Sequence, residues 1–329
     1  MKKVFILIVA LAIVGMMAGS SVMAADKPIE IVMVAKHEGI SWFDDMRTGV
    51  NQFGKDYKVK ASQIAPEGGD PAKQVQMVED LIAKGVSAIC VVPNDPTSME
   101  PVLKKARAAG IVVVSHEAQQ LAKVVNYDME SFVNEDFGRL MFSAMAKAMN
   151  YEGEYTGFVG ALTMQTHMQW FMAGVELQKA KYPKMKMVTA QPIEDKNDEK
   201  LAYDRATELI KAYPNLKGIM GCSVSSTTMS GLVCQEKNKK NIAVAGLALP
   251  SVSGPYIKSG FIREGFCWRP ADAGYVTCLI ALKVLKGEEI KTGVNLVKPG
   301  YEKCTLKDNV VFGNAPLALT KETVGKYPF

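Results

Sequence analysis

Few residues in this chain of 329 have side chains suited to binding or transforming a small molecule, and they share one kind of position. All three histidines, His37, His116 and His167, lie where a short apolar run gives way to a polar stretch. The first stretch reads Lys36-His37-Glu38-Gly39-Ile40-Ser41-Trp42-Phe43-Asp44-Asp45, and later ones read Pro93-Asn94-Asp95-Pro96 and Ser115-His116-Glu117. In the second half they read Leu162 to Trp170 with Thr166-His167 inside, Cys222-Ser223-Val224-Ser225-Ser226, Leu247-Ala248-Leu249-Pro250 and Cys267-Trp268-Arg269-Pro270. Lys36, Arg269, Glu38 and Glu117 with the imidazoles make a hydrogen-bonding cleft, and Trp42, Phe43, Trp170 and Trp268 its apolar wall. Flat rings cover the C–H faces of a small polar ligand while charged groups take its hydroxyls.

Covalent chemistry has less support. The sequence has no G-x-S-x-G turn, no G-x-x-x-x-G-K-[ST] phosphate loop and no G-x-G-x-x-G after the first apolar run. No two histidines stand at i, i+4 spacing, and Met164, Met168 and Met172 suit core filling better than metal binding. No catalytic residue, metal or cofactor is expected. The alternatives are an exported hydrolase or metal-dependent enzyme on the same layout, and a sensory ligand-binding subunit.

The elements that would position these loops alternate. Apolar strands are expected over 29–35, 59–65, 88–92, 111–115 and 123–126. Helices are expected over 41–57, from Asp70-Pro71 to a stop at Gly85, over 98–109 and over 131–150. Ser41 would cap the first helix, and Asp44 and Asp45 would face its dipole. A second cycle gives strands over 155–160, 185–191, 216–221, 242–247 and 261–267, and helices over 167–181, 200–213, 225–237, 250–260 and 271–285; the tail from Ile290 reads as irregular. Repeated strand–helix units imply parallel sheets with helices on both faces, and ligands in such sheets sit beyond the carboxyl ends of the strands. The fold class is therefore α/β, with two open lobes joined by more than one crossover. One lobe takes residues 25–128 and 270–298, because the helix over 271–285 returns to it, and the other takes 129–269 and 299–329.

Residues 1–24 have the layout of a secretory signal: Lys2-Lys3, an apolar run from Val4 to Met17, then small residues, with cleavage after Ala24. The run is shorter than the ~20 residues that span a bilayer, so a soluble exported protein is expected. Without Lys2 and Lys3, 37 basic residues face 34 acidic ones, which with the lack of any long basic block excludes a nucleic-acid patch. The hydrophobic share of 48% excludes a disordered chain. None of the six cysteines form C-x-x-C, and they read as mostly free and buried.

One stretch is more specific. Gln74-x-x-x-Val78-x-x-Leu81-Ile82-x-x-Gly85-Val86-x-Ala88-Ile89 is followed by Val92-Pro93-Asn94-Asp95 and by Ala109-Gly110 before Ile111–Val114. With Asn126-Tyr127 and the ending Lys326-Tyr327-Pro328-Phe329, it resembles the periplasmic solute-binding proteins of the ribose-binding type, the receptors of ABC importers. Lys36 followed by Trp42 and Phe43 is most similar to the branch that binds autoinducer-2 or rhamnose. The resemblance implies two Rossmann-like lobes of the type I periplasmic-binding-protein kind, a multi-crossing, three-stranded hinge and closure over ligand. It also implies partnership with a membrane permease and, with it, a periplasmic monomer.

Residue by residue, Glu117 stands where that family has an aspartate, and Thr166-His167 where the branch has Asp-Gln. The Cys222–Ser226 loop, with Ser223 and Ser225, replaces an Asn-Asp pair. Ala248 stands at a sugar-binding aspartate, and Trp268-Arg269 form the last contact loop. The ligand implied is a sugar or sugar-like solute, and the cationic balance of Lys36, Arg269 and the histidines extends this to a sugar acid.

Overall fold

The computed structural model describes residues 28–327 and 329; the expected leader over 1–24 lies outside them. Within them the first lobe runs β1 (Glu30–Val34), α1 (Ser41–Tyr57), β2 (Lys60–Ile64), α2 (Pro71–Lys84), β3 (Ala88–Val91), α3 (Pro96–Ala108), β4 (Val112–His116) and β5 (Tyr127–Glu130). The second runs α4 (Asn134–Ala148), β6 (Gly153–Val159), α5 (Gln165–Lys181), β7 (Met185–Met187), β8 (Ile193–Glu194), α6 (Glu199–Ala212), β9 (Leu216–Gly221), α7 (Val224–Glu236), β10 (Ala243–Leu247), α8 (Pro250–Ser259) and β11 (Ile262–Cys267). The chain then continues through α9 (Pro270–Leu285), β12 (Thr305–Lys307), β13 (Val310–Phe312) and β14 (Leu317–Leu319).

Local chemistry sets the helix ends next to the candidate loops. Asp70 caps α2 by accepting from the N–H groups of Ala72 and Lys73, Pro71 opens the helix, and Gly85 closes it at φ 66°. Asp95 caps α3 through the Thr97 N–H. Ser41 does not cap α1; it is the first helical residue, and Ile40 holds the cap position without a side-chain bond. Asp45 serves another helix instead, its Oδ2 accepting from the Ala271 N–H at 2.9 Å, so it anchors the start of α9 to α1.

The sheet orders are β12-β13-β5-β4-β3-β1-β2 and β14-β11-β10-β9-β6-β7, with β8 on β6. All pairings are parallel except β12 with β13 and β14 with β11. The helix over 271–285 does pack on the first lobe, against α1, β3 and β4. The expected division of the tail needs correction: β13 pairs with β5 in the first sheet, and only β14 joins the second. Residues 299–329 are therefore not one piece of the second lobe. Nor do residues 123–126 form the fifth strand, which is Tyr127–Glu130 and carries two buried carboxylates, Asp128 and Glu130. The strand expected over 185–191 ends at Met187 as β7, and β8 follows separately beyond its expected end.

The chain crosses between sheets after β5, between β11 and α9, and between β13 and β14. The first and third crossings bond to each other, with the Gly313 N–H on Glu130 O at 2.8 Å and the Ala315 N–H on Ser131 O at 3.0 Å. One apolar core runs through both lobes, and a second lies on the other face of the first sheet. All six cysteines are buried and free.

α1 and α9 approach closely because Gly49 faces the first turn of α9. A Cβ there would lie 1.7 Å from the Ala271 carbonyl oxygen. Gly49→Ala must push α9 away, with an expected cost of about 1–3 kcal/mol. Thermal unfolding should show a midpoint drop of several degrees; an unchanged midpoint would mean that this contact does not set the helix spacing.

Candidate ligand-binding site

Gln74, fully buried on α2, ties together the ends of β1 and β3. Its Nε2 donates to Ala35 O at 2.9 Å and to Val92 O at 2.8 Å, while its Oε1 accepts from the Asn94 N–H at 2.9 Å. Asn94 in turn donates from Nδ2 to Lys36 O at 2.6 Å. This knot fixes the backbone from which Lys36 projects. From the end of β4, Glu117 turns toward it through a left-handed backbone at φ 57°, a conformation that costs a non-glycine residue roughly 1 kcal/mol or more. Asp128 holds the turn, accepting from Ser115 Oγ at 2.6 Å and from the Ala118 N–H at 3.2 Å.

Lys36 Nζ donates to Glu117 Oε2, with both side chains buried, 4% and 5% exposed. Burial pushes the Glu117 carboxyl up, but Lys36 and His116 outweigh it and leave the pKa below its ordinary value. Beside it His116 Nδ1 lies 2.7 Å from Met129 O, and its Nε2 lies 3.7 Å from Glu117 Oε1.

The second lobe meets this pair through the start of α5. Thr166 Oγ1 donates to the Glu117 carbonyl at 2.9 Å, a bond between lobes. His167 Nδ1 accepts from the Gly160 N–H at 3.0 Å, so the ring hydrogen sits on Nε2 as a donor. Burial and the charge of Lys36 push His167 down to about 3, with Glu117 opposing, so the ring is neutral. It stacks on Trp170 with centroids 5.2 Å apart, and Trp170 Nε1 donates to Asn134 Oδ1 at 2.8 Å. Behind β8, buried Asp195 accepts from Ser223 Oγ and, at 2.8 Å, from the Asn197 N–H. Burial pushes Asp195 up to about 6.

These groups surround a narrow hollow of about 40 Å³, well below the roughly 300–1,000 Å³ usual for small-molecule sites. Of the residues expected to bind, the structure brings Lys36, Trp42, Phe43, Glu117, His167, Trp170, Ser223 and Ser225 to its lining. Thr166 and Trp268 adjoin it without lining it: Thr166 bonds to Glu117, and Trp268 packs edge-on to Trp42 with centroids 4.5 Å apart. Asn94 is a buried brace for Lys36. The remaining three do not line it. His37 is half-buried outside the lining with Nδ1 2.6 Å from Glu38 O, and Ala248 is fully buried with its N–H on Phe266 O. Arg269 is exposed, its guanidinium 5.5 Å from the centre of the Phe329 ring.

Ile40, Asn197, Val224 and Leu247 complete the lining. Ile40, Val224 and Leu247 fall inside loops singled out from the sequence, where an apolar residue carries no chemical signal. Asn197 and Asp195 follow the two-residue strand β8, which is too short to show a pattern. Among the described residues no group of three His, Cys, Asp or Glu is placed to hold a metal ion, and no helix is long and apolar enough to cross a membrane.

A family model described as periplasmic binding protein domain matches residues 31–289. The D-ribose/D-allose-binding protein of Pseudomonas aeruginosa is 26% identical over 281 residues, covering 80% of this chain and 84% of that protein. The D-allose-binding periplasmic protein of Escherichia coli is 24% identical over 274 residues, covering 80% and 85%. Among solved structures, LsrB from Clostridium saccharobutylicum in complex with AI-2 superposes with a TM-score of 0.85 at 18% identity, covering 92% of this chain and all of that one. An ABC transporter solute-binding protein from Clostridium phytofermentas with bound L-rhamnose gives 0.83 at 18% identity, covering 92% and 98%.

The floor of the hollow predicts its own energetics. Removing one partner of a buried ion pair leaves the other charge uncompensated, at a cost of about 3–5 kcal/mol. Lys36→Met should lose that much in denaturant unfolding, and adding Glu117→Gln should recover most of it. If the double variant is as unstable as the sum of the singles, the two groups do not interact as a pair.

Proposed function

The chain belongs to the periplasmic binding protein domain family, and from that premise we propose that it is the extracytoplasmic receptor of an ABC importer, closing its two lobes over a small neutral sugar-like solute. Export by the leader over 1–24, action as a monomer, delivery to a membrane permease and binding without covalent chemistry belong to this proposal. The observation that carries it is the shared lining: Lys36 and Glu117 from one lobe and His167, Ser223 and Asn197 from the other border a single hollow.

The charge of that lining points to the solute. Lys36 and Glu117 neutralise each other and His167 is neutral. A further charge brought in by a ligand would lose its hydration without gaining a partner. The cationic excess that suggested a sugar acid is elsewhere, because Arg269 and His37 do not line the hollow. Polar groups are mixed in kind: Lys36 and His167 donate, Glu117 accepts, and serine hydroxyls do both. Trp42, Phe43 and Trp170 offer flat apolar faces. Neutral polyols match both halves of this pattern, and the names of the sequence relatives, ribose- and allose-binding proteins, support the same class.

Closure follows from the division of contacts. A solute that touches both linings binds the closed arrangement better than any open one, and that difference in affinity drives the equilibrium.

Two measurements test this. In a thermal-shift panel of D-allose, D-ribose, L-rhamnose and D-galacturonate, a neutral sugar should stabilise the protein by about 2.7 kcal/mol at a hundredfold excess over its Kd. The acid should give no shift; a shift from the acid alone would reverse the charge argument. Small-angle scattering should show a smaller radius of gyration with the stabilising sugar, and an unchanged radius would exclude hinge closure.

A further inference from the structure

The two histidines beside Glu117 have opposite surroundings. His167 accepts an N–H from Gly160 on Nδ1, so a second ring proton would face a donor. His116 is the reverse. Its Nδ1 lies 2.7 Å from Met129 O, a carbonyl that can only accept, so that nitrogen carries the hydrogen. Its Nε2 is left as a lone pair, fully buried and without a hydrogen-bond partner, 3.7 Å from Glu117 Oε1. Both nitrogens of His116 therefore face acceptors, and only the protonated ring satisfies both.

The other charged groups near this ring come from four elements. Glu117, next in the chain, favours a second proton, and Lys36 beyond β1 opposes it. His167 on α5 stays neutral. On β5 the Asp128 carboxylate is turned to Ser115 and Ala118, with buried Glu130 two residues on. Trp268 closes the remaining side, its ring centre 6.1 Å from that of His116. Burial holds the ring below its ordinary value of 6.5, with Glu117 and the Met129 carbonyl pulling it back up.

We propose that His116 is a positioning residue that gates the Glu117 carboxylate by competing with the bound solute for Oε1. With His116 neutral, Oε1 is free to accept from a solute hydroxyl. When His116 takes a proton from solvent, Nε2–H turns to Oε1 and withdraws it. The proposal rests on the reading of Glu117 as a solute contact. Its sign follows from linkage: a solute on Oε1 disfavours the His116 proton, so the bound form holds fewer protons than the free form. Affinity is then full above the His116 pKa of the free form and falls as pH drops through it, by up to about tenfold per unit.

With only three histidines in the chain, the full-length protein labelled with ¹⁵N-histidine can be followed by NMR without added solute from about pH 8 to about pH 4.5. The His116 ring should carry its hydrogen on Nδ1 and take up a proton on the acid side of 6.5. A second should carry it on Nε2 and not titrate. His116→Asn, whose amide can still donate to Met129 O, should remove the first signal, and His167→Asn the second. A His116 ring with its hydrogen on Nε2, or one unchanged to the acid limit, overturns the proposal.

Calorimetry with the panel sugar of largest thermal shift adds the functional arm. Wild-type affinity should fall across the His116 titration while that of His116→Asn stays flat, and equal slopes overturn the gate. If no panel sugar binds, the sugar reading fails while the ring titration still decides whether His116 is the proton acceptor.

Discussion

Two opposite charges held out of water, Lys36 and Glu117, set the terms for everything around them. Such a pair is tolerated only where geometry is good and the remaining polar atoms are satisfied. The first lobe supplies that geometry from three adjacent strand ends. β1 carries Lys36 and β4 leads into Glu117, and β3 between them carries Asn94, which braces the Lys36 carbonyl. Gln74 locks the first and third of these ends to one another, and Asp128 locks the turn at Glu117. The left-handed backbone at Glu117 is one cost of aiming the carboxylate inward. Thr166 then uses the carbonyl of that same residue to join the second lobe.

Behind the pair, aromatic rings do structural work that the sequence pattern attributes to ligand contact. Trp268, at the second crossing, touches Trp42 from the first lobe and Phe137 and Trp170 from the second, and Phe132 at the first crossing stacks on Phe137 with centroids 3.9 Å apart. Edge-to-face contacts of this kind add about 0.5–1.5 kcal/mol each beyond burial. They pack the hinge side of the hollow, so only one face of this cluster is left for a solute.

Which parts were legible follows from this division. The two α/β lobes, most strand ends and the return of α9 could be read, because buried parallel strands are apolar runs and Asp-Pro and glycine mark helix ends. Eight of the expected binding residues reach the hollow, because ligand sites in such sheets form at strand ends whatever the side chains are. Direction is what a sequence cannot carry. His37 and Arg269 sit in the right loops and point away, since one residue of offset at a strand end or helix start swings a side chain to another face. The fifth strand was displaced because its buried Asp128 and Glu130 break the apolar pattern. The three-residue strand β13 joins the first sheet through β5, a partner distant in sequence, and β12 joins it only through its hairpin with β13; both are too short to show a pattern.

The neutrality of the lining then follows from the same constraint. A hollow walled by rings has little water to screen charge, so a floor that contains one cation must contain one anion. The chain meets this with Lys36 and Glu117, and burial with the charge of Lys36 holds His167 neutral, its Nδ1 accepting a backbone N–H. Balanced in this way, the site has polar strength without net charge. On the proposed reading, a solute is selected by the arrangement of its hydroxyls and the shape of its apolar faces rather than by attraction at a distance. The proposed closing of the lobes, which would align donors and acceptors from both sides at once, would then be the step at which that selection is made.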